Sequence, residues 1–132
     1  MSAHSIDEAL AVRKATAARP TAELASLYAA IERSQAVAEF ALDGTLLRAN
    51  ANYLDLFGYV AEQVIGQPHR MFCDEEVVAA ADYEALWERL RAAEFVQSQF
   101  KRRHCSGKTL YLQASYNPVF NAEGQVISVV KF

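Results

Sequence analysis

Cysteine is nearly missing from this chain: two residues in 132, Cys73 and Cys105, with no Cys-x-x-Cys spacing. A disulfide framework is therefore not expected, and the two fit a reduced protein with free thiols. Proline and glycine are also few, three and five, and no internal repeat or low-complexity tract occurs. No apolar run approaches the ~20 residues that a membrane-spanning helix needs. The first residues carry Asp7, Glu8, Arg13 and Lys14 without the apolar centre of a secretory signal. The expected location is cytoplasmic, with no membrane contact. A net charge of −3 gives no field that would attract nucleic acid or an anionic bilayer. The one basic cluster, Lys101-Arg102-Arg103, reads as the watered face of a strand.

Catalytic signatures are lacking too. There is no Gly-x-Ser-x-Gly, P-loop, Gly-x-Gly-x-x-Gly or His-Glu-x-x-His. Carboxylates are scattered along helix faces and turns, and Ser106 and Ser115 have no context that marks a nucleophile. The chain is not expected to be an enzyme. His69-x-x-x-Cys73 and His104-Cys105 fall short of the three or four ligands that a zinc site uses, and read as surface or interfacial residues.

What is present is an ordinary globular composition, 52% apolar and 22% charged. Residues 1–33 are Ala-rich and broken by Pro20, and form a helical extension to a domain over 34–132. Ser5 or Asp7 can cap a first helix carrying Ile6, Leu10 and Val12. Thr21 caps a second, whose Leu24, Leu27, Tyr28 and Ile31 fall at i, i+3, i+4, i+7. That stripe suits either packing on its own domain or pairing with a second copy.

The domain is organised around Phe40–Asp74. An apolar strand over Ala36–Leu42 meets Asp43-Gly44, a pair able to take both left-handed positions of a tight hairpin, and Thr45–Arg48 pairs back. Asn50 caps a helix bearing Tyr53, Leu54 and Phe57, ended by Gly58. A further helix over Ala61–Ile65 stops at Gly66, and His69–Asp74 forms a short element. Asp82–Leu90 is the longest internal helix, with Tyr83, Leu86, Trp87 and Leu90 on one stripe. Three strands follow: Phe95–Arg103, Thr109–Pro118 and Val126–Phe132, turning at Ser106-Gly107-Lys108 and at Asn121–Gly124. In the middle strand Leu110, Leu112, Ala114 and Tyr116 alternate with Tyr111, Gln113, Ser115 and Asn117. Pro118, unable to donate to a ladder, marks its end.

DGTLLRANANYLDLFGY, GQPHRMF, Tyr83 to Trp87, FVQSQFKRR and GKTLYLQASYNPVFNAEGQVISVVKF together resemble a PAS domain. They are most similar to PAS domains of bacterial chemotaxis transducers of the aerotaxis and energy-taxis type. The resemblance covers about Ser34 to Phe132. It implies an α+β fold: a five-stranded antiparallel sheet in order 2-1-5-4-3, with short helices on one face. It also implies a sensory input module without enzymatic activity, relaying ligand, redox or oxygen state to a downstream signalling domain of the same chain. The alternative is a ligand-free dimerisation module. A homodimer through the N-terminal helix or the sheet is expected in either case.

The resemblance offers two cofactors, and the third option is none. In haem-binding relatives the ligating His lies where His69 falls, which makes His69 the candidate for the haem b iron. The Trp those sensors carry on the last strand is missing from Ser128–Phe132, and a non-ligating His69, hydrogen-bonded near the domain surface, is the preferred reading. FAD-binding relatives share the GQPH run and a Trp matched by Trp87, but follow the His with a different segment from Met71-Phe72-Cys73-Asp74. Trp87 also sits on an apolar stripe, where a core residue is expected. The segment that forms a flavin–cysteine adduct in light sensors has no match. A hollow between sheet and helices would be lined by Tyr53, Phe57, Met71, Trp87, Tyr116 and Asn117, with His69, Asn117 and Gln113 as hydrogen-bond partners of a ligand.

Overall fold

A computed structural model describes residues 20–132. The helix expected around Ile6, Leu10 and Val12 lies outside the described residues. The chain divides into two units, residues 1–34 and 35–132. In the first, helix α1 spans Thr21–Ser34. Its opening amides, on Glu23 and Leu24, donate to the Pro20 carbonyl, so Thr21 is the first helical residue rather than the cap. Leu27, Tyr28 and Ile31 are exposed along it.

The second unit begins with strands β1 (Ala38–Phe40) and β2 (Leu46–Ala49). The turn between them differs from the expected one. Only Gly44 is left-handed, at φ 92°, and Asp43 is not. The Asp43 carboxylate instead accepts from Thr45 N at 2.9 Å, while Gly44 N donates to Ala41 O. Asn50 then caps α2 (Ala51–Phe57): its Oδ1 accepts from Tyr53 N at 2.9 Å and from Val37 N at 3.0 Å. Its Nδ2 donates to Gln35 O at 2.8 Å. One side chain thus starts a helix and fixes the strand that runs beside it.

A short α3 (Ala61–Val64) leads to the 3-10 helix His69–Phe72. The segment between them lies along the free edge of β2, where Leu46 N donates to Gln67 O and Gly66 N to Leu46 O, both at 2.8 Å. Then come α4 (Glu75–Ala79), not foreshadowed in the sequence pattern, and α5 (Ala81–Arg91). Strands β3 (Val96–Arg103), β4 (Thr109–Phe120) and β5 (Val126–Lys131) complete an antiparallel sheet in order β2-β1-β5-β4-β3. The α+β class and the strand order are those expected.

Pro118 does not end its strand. It lies within β4, opposite Val129. Ser115 and Phe132 exchange both backbone hydrogen bonds, so two-residue alternation turns the Pro118 nitrogen away from β5. On that other side β3 pairs no further than Tyr116. The missing N–H therefore falls where no ladder bond is required. Between sheet and helices, Phe40, Leu46, Tyr53, Phe57, Val64, Phe72, Leu86, Trp87, Leu90, Tyr116 and Val129 form one buried cluster.

Candidate ligand site

His69 stands at the centre of this layer. Its backbone N–H donates to Gly44 O at 2.8 Å, which ties the 3-10 helix to the β1–β2 turn and points the imidazole inward. The ring is 1% exposed, with Phe40 and Trp87 edge-on at 5.0 and 5.3 Å between centroids. A location near the domain surface is thereby corrected: His69 is a core residue. Tyr83 Oη lies 2.8 Å from Nδ1 and Tyr116 Oη 3.0 Å from Nε2.

Burial holds this imidazole well below its ordinary range, and the charges of Arg102 and Lys131 add to the effect. It is neutral, so one nitrogen donates and the other accepts. Arg102 Nη2 donates to Tyr116 Oη at 3.0 Å. The Tyr116 hydroxyl hydrogen has an acceptor only if it points to His69 Nε2, which assigns the proton to Nδ1, donating to Tyr83. One directional chain results, from Arg102 to Tyr116 to His69 to Tyr83. It joins β3, β4, the 3-10 helix and α5. Burial raises both phenols, with Tyr83 and Tyr116 each pushed up to about 12, so neither is a base at neutral pH.

Arg102 is the residue the sequence reading misplaced. It is not on a watered strand face but 3% exposed. Strand alternation points it the same way as Phe100, whose ring centroid lies 4.9 Å from its guanidinium carbon. Lys131 was missed altogether. It is also 3% exposed, and its Nζ lies over the rings of Tyr116, Phe57 and Tyr53 at 5.2, 5.3 and 5.6 Å. The available signal was its parity with Val129, two residues before it, in the last strand.

Of the other expected residues, Tyr53, Phe57 and Trp87 are buried and Met71 packs at the edge of the cluster. Gln113 is exposed. Asn117 points to the sheet face opposite Tyr116, where its Nδ2 donates to Ser115 Oγ and Val130 O at 3.1 and 3.2 Å. Neither joins the His69 chain. Cys73 Sγ is 4.0 Å from His69 Nδ1 and burial pushes its thiol up, so it is a core thiol rather than a surface residue. Among the described residues no three His, Cys, Asp or Glu side chains are grouped to hold a metal ion.

His69 does not fit an axial haem ligand in this arrangement. Both ring nitrogens are engaged by tyrosine hydroxyls, and Phe40, Phe72, Trp87 and Tyr116 surround the ring. Trp87, the residue offered for a flavin, is buried edge-on to Phe40 and His69, and Tyr53, Phe57 and Phe72 pack beyond them at 4.8–5.4 Å between centroids.

The family described as PAS fold matches residues 32–132. The chain is 43% identical over 110 residues to the biofilm dispersion protein BdlA of Pseudomonas aeruginosa, an alignment that covers 83% of this chain and 26% of that protein. The chain thus spans about a quarter of that relative's length. Among solved structures, the PAS domain of a Colwellia psychrerythraea protein superposes with a TM-score of 0.70 at 17% identity, covering 82% of this chain and 92% of that one. An RNA-binding light-oxygen-voltage receptor gives 0.71 at 20% identity, covering 86% and 33%. These two likenesses concern the fold. No helix of the described residues is long and apolar enough to cross a membrane.

Proposed function

The chain belongs to the PAS-fold family, and we propose that residues 35–132 are the sensory input module of a larger bacterial signalling protein of chemoreceptor type, acting in the cytoplasm. The observation that carries this reading is the buried chain Arg102–Tyr116–His69–Tyr83. It spans sheet and helices with one hydrogen bond per link. A ligand that breaks or completes one link has a different affinity for two packings of the helices on the sheet, which is what a population shift requires. Strand β5, which pairs with Tyr116 through Lys131, carries the change to a following domain. The likeness to a biofilm dispersion protein suggests that the output governs the choice between attached and free life.

The test is hydrogen exchange on Tyr116→Phe, which keeps the ring and removes the oxygen shared by Arg102 and His69. Faster exchange is expected in both the 3-10 helix and β5, with β2 as the internal control. Unchanged exchange at β5 would reject the relay.

A second reading, a dimerisation module without ligand, is favoured by the exposed Leu27, Tyr28 and Ile31 of α1. Light scattering at high concentration that finds only monomer would remove it.

A further inference from the structure

Two basic side chains in the core have no acidic partner among the described residues. Lys131 and Arg102 are each 3% exposed. Ion pairs among the described residues include Lys101 with Asp74 and Glu76, Arg91 with Glu84, and Arg89 with Glu94. None of these acids reaches the core pair. Arg102 spends Nη1 on the Lys101 carbonyl at 2.8 Å and Nη2 on Tyr116. Arg102 Nε, Lys131 Nζ and the Tyr53 hydroxyl are buried without a partner among the described residues.

These three groups all have hydrogen to give, so what is missing is an acceptor. Water would supply the acceptor but not the charge, and two cations brought into one core repel each other as well as losing solvent. Both cations lie against one ring, Arg102 Cζ at 6.0 Å and Lys131 Nζ at 5.2 Å from the Tyr116 centroid. The other walls are aromatic: Tyr53, Phe57 and Phe100. Arg102, though neither Lys131 nor Tyr53, also lines a cleft of about 550 Å³ between α5 and β3, where apolar Leu86, Val96 and Phe100 stand beside Asp82, Arg89 and Lys101. That volume suits a small organic molecule.

We propose that Lys131 and Arg102, with the Tyr53 hydroxyl, bind the carboxylate of a small organic acid whose aliphatic or aromatic body lies against the rings and is admitted through the α5–β3 cleft. This names the ligand class for the sensory reading above and rests on it. The acid supplies the acceptor and the negative charge together. It also meets Arg102, the first donor of the chain that ends at Tyr83, so occupancy is transmitted to His69.

The test is thermal unfolding of the chain with benzoate and hexanoate, against benzamide and hexanamide as uncharged controls. The acids are expected to raise Tm saturably and the amides not. Lys131→Met is expected to bind the acids at least about tenfold more weakly, the loss of one charge-assisted bond. Equal effects of acid and amide, equal binding by Lys131→Met, or no shift with either acid would overturn the proposal. If Lys131→Met does not fold, the ε-carbon NMR signal of Lys131 in the native chain decides: it moves on adding benzoate, or the proposal fails. No acid binding together with intact coupling in the Tyr116→Phe exchange experiment would remove the anion and keep the relay. Failure of both would remove the sensory reading.

Discussion

Lys131 stands directly opposite Tyr116 across β4 and β5, its Nζ 5.2 Å from the ring centroid. The aromatic faces around it attract a cation, by about 2 kcal/mol when desolvated. Withdrawing an ammonium from water costs several kcal/mol. Burial wins, and in the unliganded chain Lys131 is a destabilising residue. Lys131→Met, of similar length and without charge, is expected to raise the unfolding free energy by roughly 1–3 kcal/mol. Urea unfolding at pH 7 measures it, and a loss of stability would show that the ammonium is compensated.

The same burial sets a pH profile. Burial, then the Arg102 charge, lowers Lys131 from 10.5 to about 7. Between those values the unfolded chain holds a proton that the folded chain has released, so stability rises with pH across that window. His69, held well below 6.5, acts in the same sense: stability falls as pH drops through 6.5. Tyr83 and Tyr116, raised from 10.0 to about 12, act oppositely, because above pH 10 the unfolded chain loses its phenolic protons first. Maximum stability is therefore expected near pH 10, with a rise from pH 7 that Lys131→Met flattens. Denaturant unfolding at several pH values checks this, and a native profile that is flat from 7 to 10 contradicts it.

The strand order followed from the family resemblance, while the two caps of α2 were legible because local signals agree with the fold. Asn50 and Gly58 bracket α2 as their residue types require, and Trp87 and Leu90 are buried as the helical stripe indicates. The polar centre was not legible for a physical reason. His69 suggested ligation because it lies in the position of a ligand, but the partners that occupy its nitrogens come from 14 and 47 residues away. Arg102 was read with its neighbours Lys101 and Arg103 as one surface cluster, although a strand sends adjacent side chains to opposite faces. Lys101 does reach outward, to Glu76 at 2.6 Å. A charge at an inward parity position was the signal, and averaging over three basic residues erased it.

Asn50 offers a test of how much one side chain holds together. It accepts from two backbone amides and donates to Gln35 O, joining the entry of β1 to the start of α2. Asn50→Ala removes all of these and is expected to cost roughly 2–3 kcal/mol, more than a lone helix cap. Asn50→Asp keeps the acceptor and places a negative charge at a helix N-terminus, so it should lose less. Equal losses in urea unfolding would mean that the donated bond to Gln35, not the cap, dominates.

Gly58 closes α2 at φ 80°, its N–H donating to Leu54 O. The turn between β3 and β4 presses against it, held by Cys105 N donating to Phe57 O at 2.9 Å. A Cβ at Gly58 would overlap the His104 imidazole and come within 2.8 Å of Cys105 Sγ. The left-handed backbone alone makes Ala unfavourable by about 1 kcal/mol. Displacing the His104 ring also disturbs its bond to Ser106 Oγ at 2.9 Å. Gly58→Ala is therefore expected to cost roughly 2–4 kcal/mol, with overpacking added to backbone strain. Making the same change in a His104→Ala background separates the two causes. Part of the loss should be recovered there, since the ring is gone while the backbone strain stays. An identical loss in both backgrounds would show that the left-handed conformation and the Cys105 contact, and not the His104 ring, are what require glycine.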